Sequence, residues 1–418
     1  MNKIPLPVFL MACAGVASAQ SSVTLFGIVD TSISSYSTKS TLYGVAAATP
    51  SALRPSTATA SQKVLSSGNF LPSRLGFRGT EDLGGGLAAG FWLEAPLSTD
   101  DGATPVVFSR RSTVSLTGPL GEVRLGRDYT PTFWVDTLFD PMNNIGVGAN
   151  TIGAVNARLA GAAALSGGGL FNTLPGGAAD GYARTSNSIG YFLPPDLGGV
   201  YGQLMYALPE TLKVSGVPGS PSQRGALYGA RFGYASGPLN IAGSYVQNTA
   251  VDAVAPFTGP LRERRIKTAN LGGSYDFNVL KLFGELSHVN DESMTALGGG
   301  PLTTRASPSY DGAMVGLTVP FGASMIRSSY ALVKYRSATS TAFPANQNAT
   351  TSKFAIGYVY NLSKRTLLYA TAAYIQIKDG ETNPVMAVAP GNSISYVTTG
   401  GYAPRSARGY DFGISHSF

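Results

Sequence analysis

Acid–base and nucleophilic catalysis rely mostly on histidine, cysteine and activated serine, and this sequence is poor in the first two. Its 418 residues include two histidines and one cysteine. His416 falls in a row with Ile414 and Phe418, and His288 ends a strand next to a long loop. Neither has a neighbouring serine and acid spaced to orient a nucleophile. Two distant histidines and Cys13 cannot furnish a metal set. Gly84-Gly85-Gly86 and Gly298-Gly299-Gly300 open no helix after a strand, so they read as turn and loop glycines, not phosphate cradles. The sequence points to no enzyme and to no cofactor.

What remains is charge at alternate positions. Leu75, Phe77 and Gly79 share one face of an extended segment, which leaves Arg74, Arg78 and Thr80 on the other. Glu94 opposes Phe91 and Leu93, and Arg231 opposes Phe232 and Tyr234. Arg184 and Ser186 oppose Asn187, Ile189, Tyr191 and Leu193. Arg110-Arg111 is ambiguous, since a bulge would turn either one inward. Arg127 is in register with Val123 and Leu125, which puts a cation on an apolar face at a cost if that face meets lipid. Two long loops hold the acids of interest. Asp100 and Asp101 lie on one, and Asp136 and Asp140, among Phe133, Trp134 and Phe139, lie on the other at 130–182.

The elements that carry these residues are strands. Charged residues make up 13% of the chain, about half the share of an ordinary soluble domain. After residue 20 there is no apolar run of about 20 residues, which excludes helical membrane spans. The net charge of +7 is not gathered into the dense basic patch of a nucleic-acid binder. Period-two alternation dominates instead. Leu280, Leu282 and Leu286 oppose Lys281, Glu285 and Ser287, and Tyr410, Phe412, Ile414 and Phe418 form a row with Asp411, Gly413, Ser415 and Ser417 between. Tight turns alternate with long loops near 37–71, 130–182, 209–224, 249–263, 291–308 and 379–404. Aromatics gather near strand ends, as interfacial girdles require.

This pattern predicts an all-β, antiparallel up-and-down transmembrane barrel of about sixteen strands. They lie near 22–36, 72–82, 87–98, 109–118, 121–129, 184–194, 199–208, 225–235, 238–248, 264–275, 280–290, 309–319, 323–335, 351–361, 364–377 and 405–418. A barrel this wide leaves an aqueous lumen, and closure pairs every backbone group without disulfides. At the N-terminus, Lys3, the apolar 8–16 run and Ala17-Ser18-Ala19 read as a cleaved signal peptide, 1–19, before one barrel domain, 20–418. Leu10-Met11-Ala12-Cys13 only faintly matches a lipoprotein box.

The segments Val23-Thr24-Leu25-Phe26-Gly27-Ile28-Val29-Asp30, Ser73-Arg74-Leu75-Gly76-Phe77-Arg78-Gly79-Thr80-Glu81-Asp82-Leu83-Gly84, Phe91-Trp92-Leu93-Glu94, Gly126-Arg127-Asp128-Tyr129-Thr130-Pro131 and the terminal Phe418 follow one another in order. In this set the chain resembles the trimeric general-diffusion porins of Gram-negative outer membranes, the β-proteobacterial branch in particular. The resemblance implies a homotrimer embedded among outer-membrane lipids and lipopolysaccharide, passing small hydrophilic solutes. It implies that loop 130–182 folds into the lumen as a constriction, its acids facing a basic ladder, and it favours Arg110 over Arg111 as the inward residue. It also implies a latch in which Asp100 or Asp101 of one subunit reaches Arg127 of the next. The chain departs from the family in a long Gly/Ala-rich third loop without the acidic Pro-Glu-Phe-Gly-Gly stretch of some relatives. With Asp136 and Asp140 set against Arg74, Arg110 and Arg184, and Glu94 on the wall, the balance is positive and a mild anion preference is expected. The rival readings are a substrate-specific channel, a barrel enzyme and an adhesin.

Overall fold

The computed structural model describes residues 22–43, 55–103, 105–166, 181–209, 223–254, 261–296, 304–337, 348–381, 383–391 and 394–418. The leader and Cys13 lie outside this set. The first half of the wall comprises β1 (Ser22–Leu42), β2 (Thr57–Ser67), β3 (Arg74–Gly84), β4 (Leu87–Pro96), β5 (Arg111–Gly118), β6 (Gly121–Tyr129), β7 (Arg184–Phe192), β8 (Val200–Ala207) and β9 (Leu227–Ser236). The second half comprises β10 (Leu239–Val254), β11 (Leu261–Asp276), β12 (Lys281–Ala296), β13 (Thr304–Ala306), β14 (Ser309–Phe321), β15 (Ser324–Arg336), β16 (Thr350–Asn361), β17 (Thr366–Lys378) and β18 (Tyr402–Ser417).

Apart from β2/β3 and β13/β14, consecutive strands pair antiparallel, and β1 pairs with β18 from Ile28↔Ser417 to Leu42↔Tyr402, which closes the barrel. The lower part of β1 pairs with β3 and its upper part with β2, so β2 and β3 occupy one place in the wall. Likewise β13 and β14 both pair with β12. The wall therefore has sixteen places, as the alternation predicts.

The upper ends of the strands differ from the sequence reading. Segment 57–67, expected inside a long loop, is β2, and β1, β10 and β12 run on past 36, 248 and 290. Thr57–Ser67 carries Ala58, Ala60 and Val64 on its inner face, where Ala60 and Val64 pack against the Tyr36 cluster, and its outer face is polar apart from Leu65. Alternation is imposed by lipid on one face and water on the other. Where the outer face is polar that contrast fades, although backbone pairing continues.

Outward positions form a continuous apolar coat, in which Val114, Leu125, Leu286 and Val315 are 55%, 48%, 57% and 65% exposed. Exposed side chains of that size over a whole surface imply a nonaqueous neighbour. Tyr234, Tyr275, Phe277, Tyr358 and Tyr360 ring the end with the short turns. One of these turns, Gly84-Gly85-Gly86, has φ values of +80°, +63° and +81°, a run that only glycine sustains.

The segment between β6 and β7 enters the barrel. It forms α1 (Pro131–Leu138), a 3₁₀ turn at Gly146–Gly148 and α2 (Thr151–Ser166). Thr130 caps α1, its hydroxyl accepting from the Phe133 N–H, and Pro131 opens the first turn. The apolar side of this loop faces the wall. Val135 and Phe139 pack on Ala242, while Met142 and Val147 pack on Tyr36, Ala355 and Ala373. Ile152, Val155 and Leu159 join Val289, Tyr310, Met314 and Ile375. The molecule's core therefore lies between the inserted loop and β9–β18, not at the barrel axis.

Candidate functional site

Because α1 lies on β8–β11 and α2 on β10 and β14–β16, the inner face of β3–β6 stays uncovered. That face is basic. On β3 the register puts Leu75 and Phe77 outward beside Gly27 and Leu25, so Arg74 and Arg78 point inward. The Arg78 guanidinium lies 5.4 Å over the Phe26 ring and 5.2 Å over Trp92, and Arg111 lies 4.6 Å over Trp92. Phe26 and Trp92 pack with centroids 4.9 Å apart, and Trp92 Nε1 donates to Glu94 at 3.3 Å. A recess of about 350 Å³ opens here, lined by Arg78, Trp92, Arg111, Arg124 and the hydroxyls of Thr113 and Ser115.

The Arg110-Arg111 ambiguity resolves in favour of both. Arg111 is the register partner of Glu94, and the Arg110 N–H donates to the Glu94 carbonyl, so the pair bulges around one residue. Arg110 Nε then reaches the Glu94 carboxylate at 2.5 Å, with Arg74 at 3.8 Å. Glu94 is a buried counterion at 3% exposure. Arg124 is held bidentate by Glu122 at 2.7 and 2.8 Å and contacts Asp128 at 3.2 Å. Arg78 makes no ion pair among the described residues.

Arg184 lies 4.6 Å over the Tyr129 ring, and its Nη2 donates to the Tyr129 hydroxyl at 3.1 Å; Arg110 donates to the same oxygen at 3.0 Å. Tyr129 stacks on Phe133 of the inserted loop, with centroids 5.5 Å apart. Arg231 lies 5.0 Å over Trp134 and 5.7 Å over Tyr201. The aromatics Trp92, Tyr129 and Trp134 thus position the arginines, a role the sequence reading does not assign. Trp92 is legible in the sequence: it alternates with Phe91 and Leu93 onto the arginine face.

Asp136 and Asp140 are where the structure departs furthest from expectation. Both turn away from the lumen. Asp136 is fully buried, accepting from the Tyr182 hydroxyl at 2.6 Å and from Asn270 of β11. Burial pushes its carboxyl above the usual carboxylate range. Asp140 accepts from the N–H groups of Met142 and Asn144 at 2.9 and 2.7 Å, and burial pushes it up to about 6. It folds the turn in which Asn143 and Asn144 take φ values of +62° and +52°. Asp-Pro-x-Asn-Asn is a turn signature, and that signal marks Asp140 as structural. No acidic row faces the arginines from α1.

Arg127 and the candidate latch acids stay apart within one chain. At Gly126 (φ +128°) the β6–β7 register shifts. Arg127 donates from Nε to the Ser109 carbonyl and from Nη1 to Ser186 at 2.8 Å. Asp100 and Asp101 both accept from the Ser98 hydroxyl, at 2.8 and 2.6 Å, and that bond holds Asp101 below the usual range.

Comparison with known proteins places this geometry. The Gram-negative porin family model matches residues 8–380. The chain is 36% identical to outer membrane porin protein 32 of Delftia acidovorans, over the whole of both chains. It is 31% identical to an outer membrane porin protein of Bordetella pertussis, over 90% of this chain and 94% of that one. The solved structure of an anion-selective porin from Comamonas acidovorans superposes with a TM-score of 0.69 at 31% identity, covering 96% of this chain and all of that one. OmpT of Vibrio cholerae, 14% identical with a TM-score of 0.57 over 95% of this chain and 98% of that one, shares the fold.

Proposed function

The chain belongs to the Gram-negative porin family, and on that premise we propose that its outer-membrane diffusion channel prefers anions because its arginine wall faces no lumen carboxylates from the inserted loop. As a porin it is a passive pore for small hydrophilic solutes and no enzyme. The observation that carries the preference is the pairing of Arg74, Arg78, Arg110, Arg111 and Arg124 on the uncovered wall with Asp136 and Asp140 buried behind the inserted loop. Glu94, Glu122 and Asp128 offset part of the charge. Two unit charges about 10 Å apart interact by ~0.4 kcal/mol in water and ~1.7 kcal/mol at an effective dielectric of 20. Each unbalanced guanidinium therefore biases ion entry by a factor of a few. The resemblance of the chain to an anion-selective porin from Comamonas acidovorans supports the same sign.

The test is the reversal potential in a potassium chloride gradient across a planar bilayer. The native channel is expected to favour chloride, and Arg78→Gln with Arg111→Gln is expected to move the potential toward the cation side. An unchanged potential places the selectivity elsewhere. Assembly as a homotrimer belongs to the same proposal. Asp100 or Asp101, exposed on the loop after β4, is then the group that reaches Arg127 of a second subunit. Residues 1–19 are the export signal in this reading.

A further inference from the structure

Between the arginines that meet Glu94 and the short turn at 84–86, the inner face of β3–β5 is hollowed. The register sets three rows across these strands, Arg78–Trp92–Thr113, Thr80–Gly90–Ser115 and Asp82–Ala88–Thr117. In the last two rows the middle residue is Gly90 or Ala88, so the wall there is bare backbone and one methyl group. A Cβ on Gly90 would lie 2.9 Å from the Ser115 hydroxyl oxygen. This hollow is the recess of about 350 Å³ that Arg78 and Trp92 border. Thr80 and Ser115 face each other across it at two strand spacings, about 10 Å.

The charges around the recess are nearly matched. Arg124 is held by Glu122 at 2.7 and 2.8 Å, and Arg111 lies 3.6 Å from Asp128. Asp82 turns to the Gly84 N–H at 2.8 Å. Arg78 is left as the exposed cation of the recess with no ion pair among the described residues. The rings of Phe26 and Trp92 hold its guanidinium, which presents a planar fork suited to one carboxylate. A second negative charge on a solute would meet Glu122 with no further cation to answer it. An ammonium group would meet Arg124, which already neutralises Glu122. Neutral hydroxyl groups suit the rest of the surface, since they both donate and accept. Thr80 and Thr117 are exposed there, and neither hydroxyl has a side-chain hydrogen bond among the described residues.

We propose, on the reading that this lumen passes anions, that the recess is a subsite for a polyhydroxylated monocarboxylate of the sugar-acid class. The carboxylate takes the Arg78 fork, and the hydroxylated chain lies over Gly90 and Ala88 between Thr80 and Thr117. The subsite selects by hydroxyl groups as well as by charge.

The experiment is single-channel recording of the full-length channel in a planar bilayer in potassium chloride. Potassium gluconate is added on the short-turn side, with acetate, glucose and glycerol phosphate in separate runs, and interruption of the chloride current gives a dissociation constant for each. Gluconate is expected to bind at least tenfold more tightly than acetate, which lacks the hydroxyls, or glucose, which lacks the charge. It is also expected to bind more tightly than glycerol phosphate, whose second charge meets Glu122. Ala88→Leu fills the hollow and leaves every charge in place, so it should weaken gluconate at least tenfold and acetate less than twofold. Arg78→Lys, which keeps the charge and loses the fork, should weaken gluconate severalfold. Should Ala88→Leu fail to insert, Thr80→Val with Thr117→Val is expected to weaken gluconate severalfold. Gluconate binding no tighter than acetate, tighter binding of glycerol phosphate, or an undiminished gluconate affinity in the variants would overturn the subsite. A native reversal potential on the cation side would overturn the anion preference beneath it, whereas a chloride-preferring channel that does not distinguish gluconate from acetate loses the subsite alone.

Discussion

Asp136 on the inserted loop binds Asn270 of the barrel wall, with its carboxylate on the far side of α1 from the arginines of β3–β6. A loop acid facing the wall cannot contribute to the field that passing ions meet. Asp136→Asn is therefore expected to leave the reversal potential at its native value. Neutralising an acid that faces the lumen would shift it toward anions, and such a shift in the bilayer measurement would show that the loop exposes this carboxylate.

Asp140 links pH to the inserted loop. Its value in the folded chain is about 6, raised by burial from an ordinary 3.8. A raised carboxyl burdens the folded state when ionised. The penalty is complete above pH 6 and is relieved as pH falls from 6 toward 4, by up to about 3 kcal/mol at 1.36 kcal/mol per pH unit. Stability against heat in detergent should rise over that window, and Asp140→Asn should flatten the rise. An equally steep profile in the variant would assign the dependence to other groups.

Gly126 sets the bulge that displaces Arg127. A Cβ there would lie 2.1 Å from the Ser112 carbonyl oxygen, at φ +128°. Gly126→Ala should cost roughly 1–3 kcal/mol in backbone strain, read as a lower temperature of barrel unfolding on heated gels. A native temperature would mean that the bulge relaxes without cost.

Phe418 closes the seam. Its N–H donates to the Gly27 carbonyl at 3.1 Å and its carbonyl accepts from the Gly27 N–H at 3.2 Å. Deleting it removes both bonds and the ring that covers Gly27. Membrane-inserted protein should fall severalfold, with unit conductance unchanged in the channels that do insert. Normal amounts of inserted protein would place the closure signal elsewhere.

Epitope tags test the orientation. A tag within 338–347 should be labelled on intact cells and one within 194–199 should not. The reverse pattern would invert the barrel.

Sequence alone determined what repeats locally. Alternation places Leu75 and Phe77 on one side and Arg74 and Arg78 on the other because successive strand residues point oppositely. Lipid on one face forces that contrast through the hydrocarbon zone, and glycine runs such as 84–86 mark the turns. Strand number, closure and the basic face of β3 follow from these short-range signals. They fall silent where the outer face is polar, which is why β2, with only Leu65 large and apolar on that face, is not legible in the pattern. The tertiary structure decided everything that depends on which wall the inserted loop touches. Asp136 meets Asn270 across 134 positions of sequence, and Asn150 meets Glu285 at 2.7 Å across 135. No periodicity encodes such pairings. They arise because the apolar residues Val135, Phe139, Ile152 and Leu159 must be buried. Burying them against β9–β18 carries Asp136 and Asp140 out of the lumen and leaves the arginines facing the water.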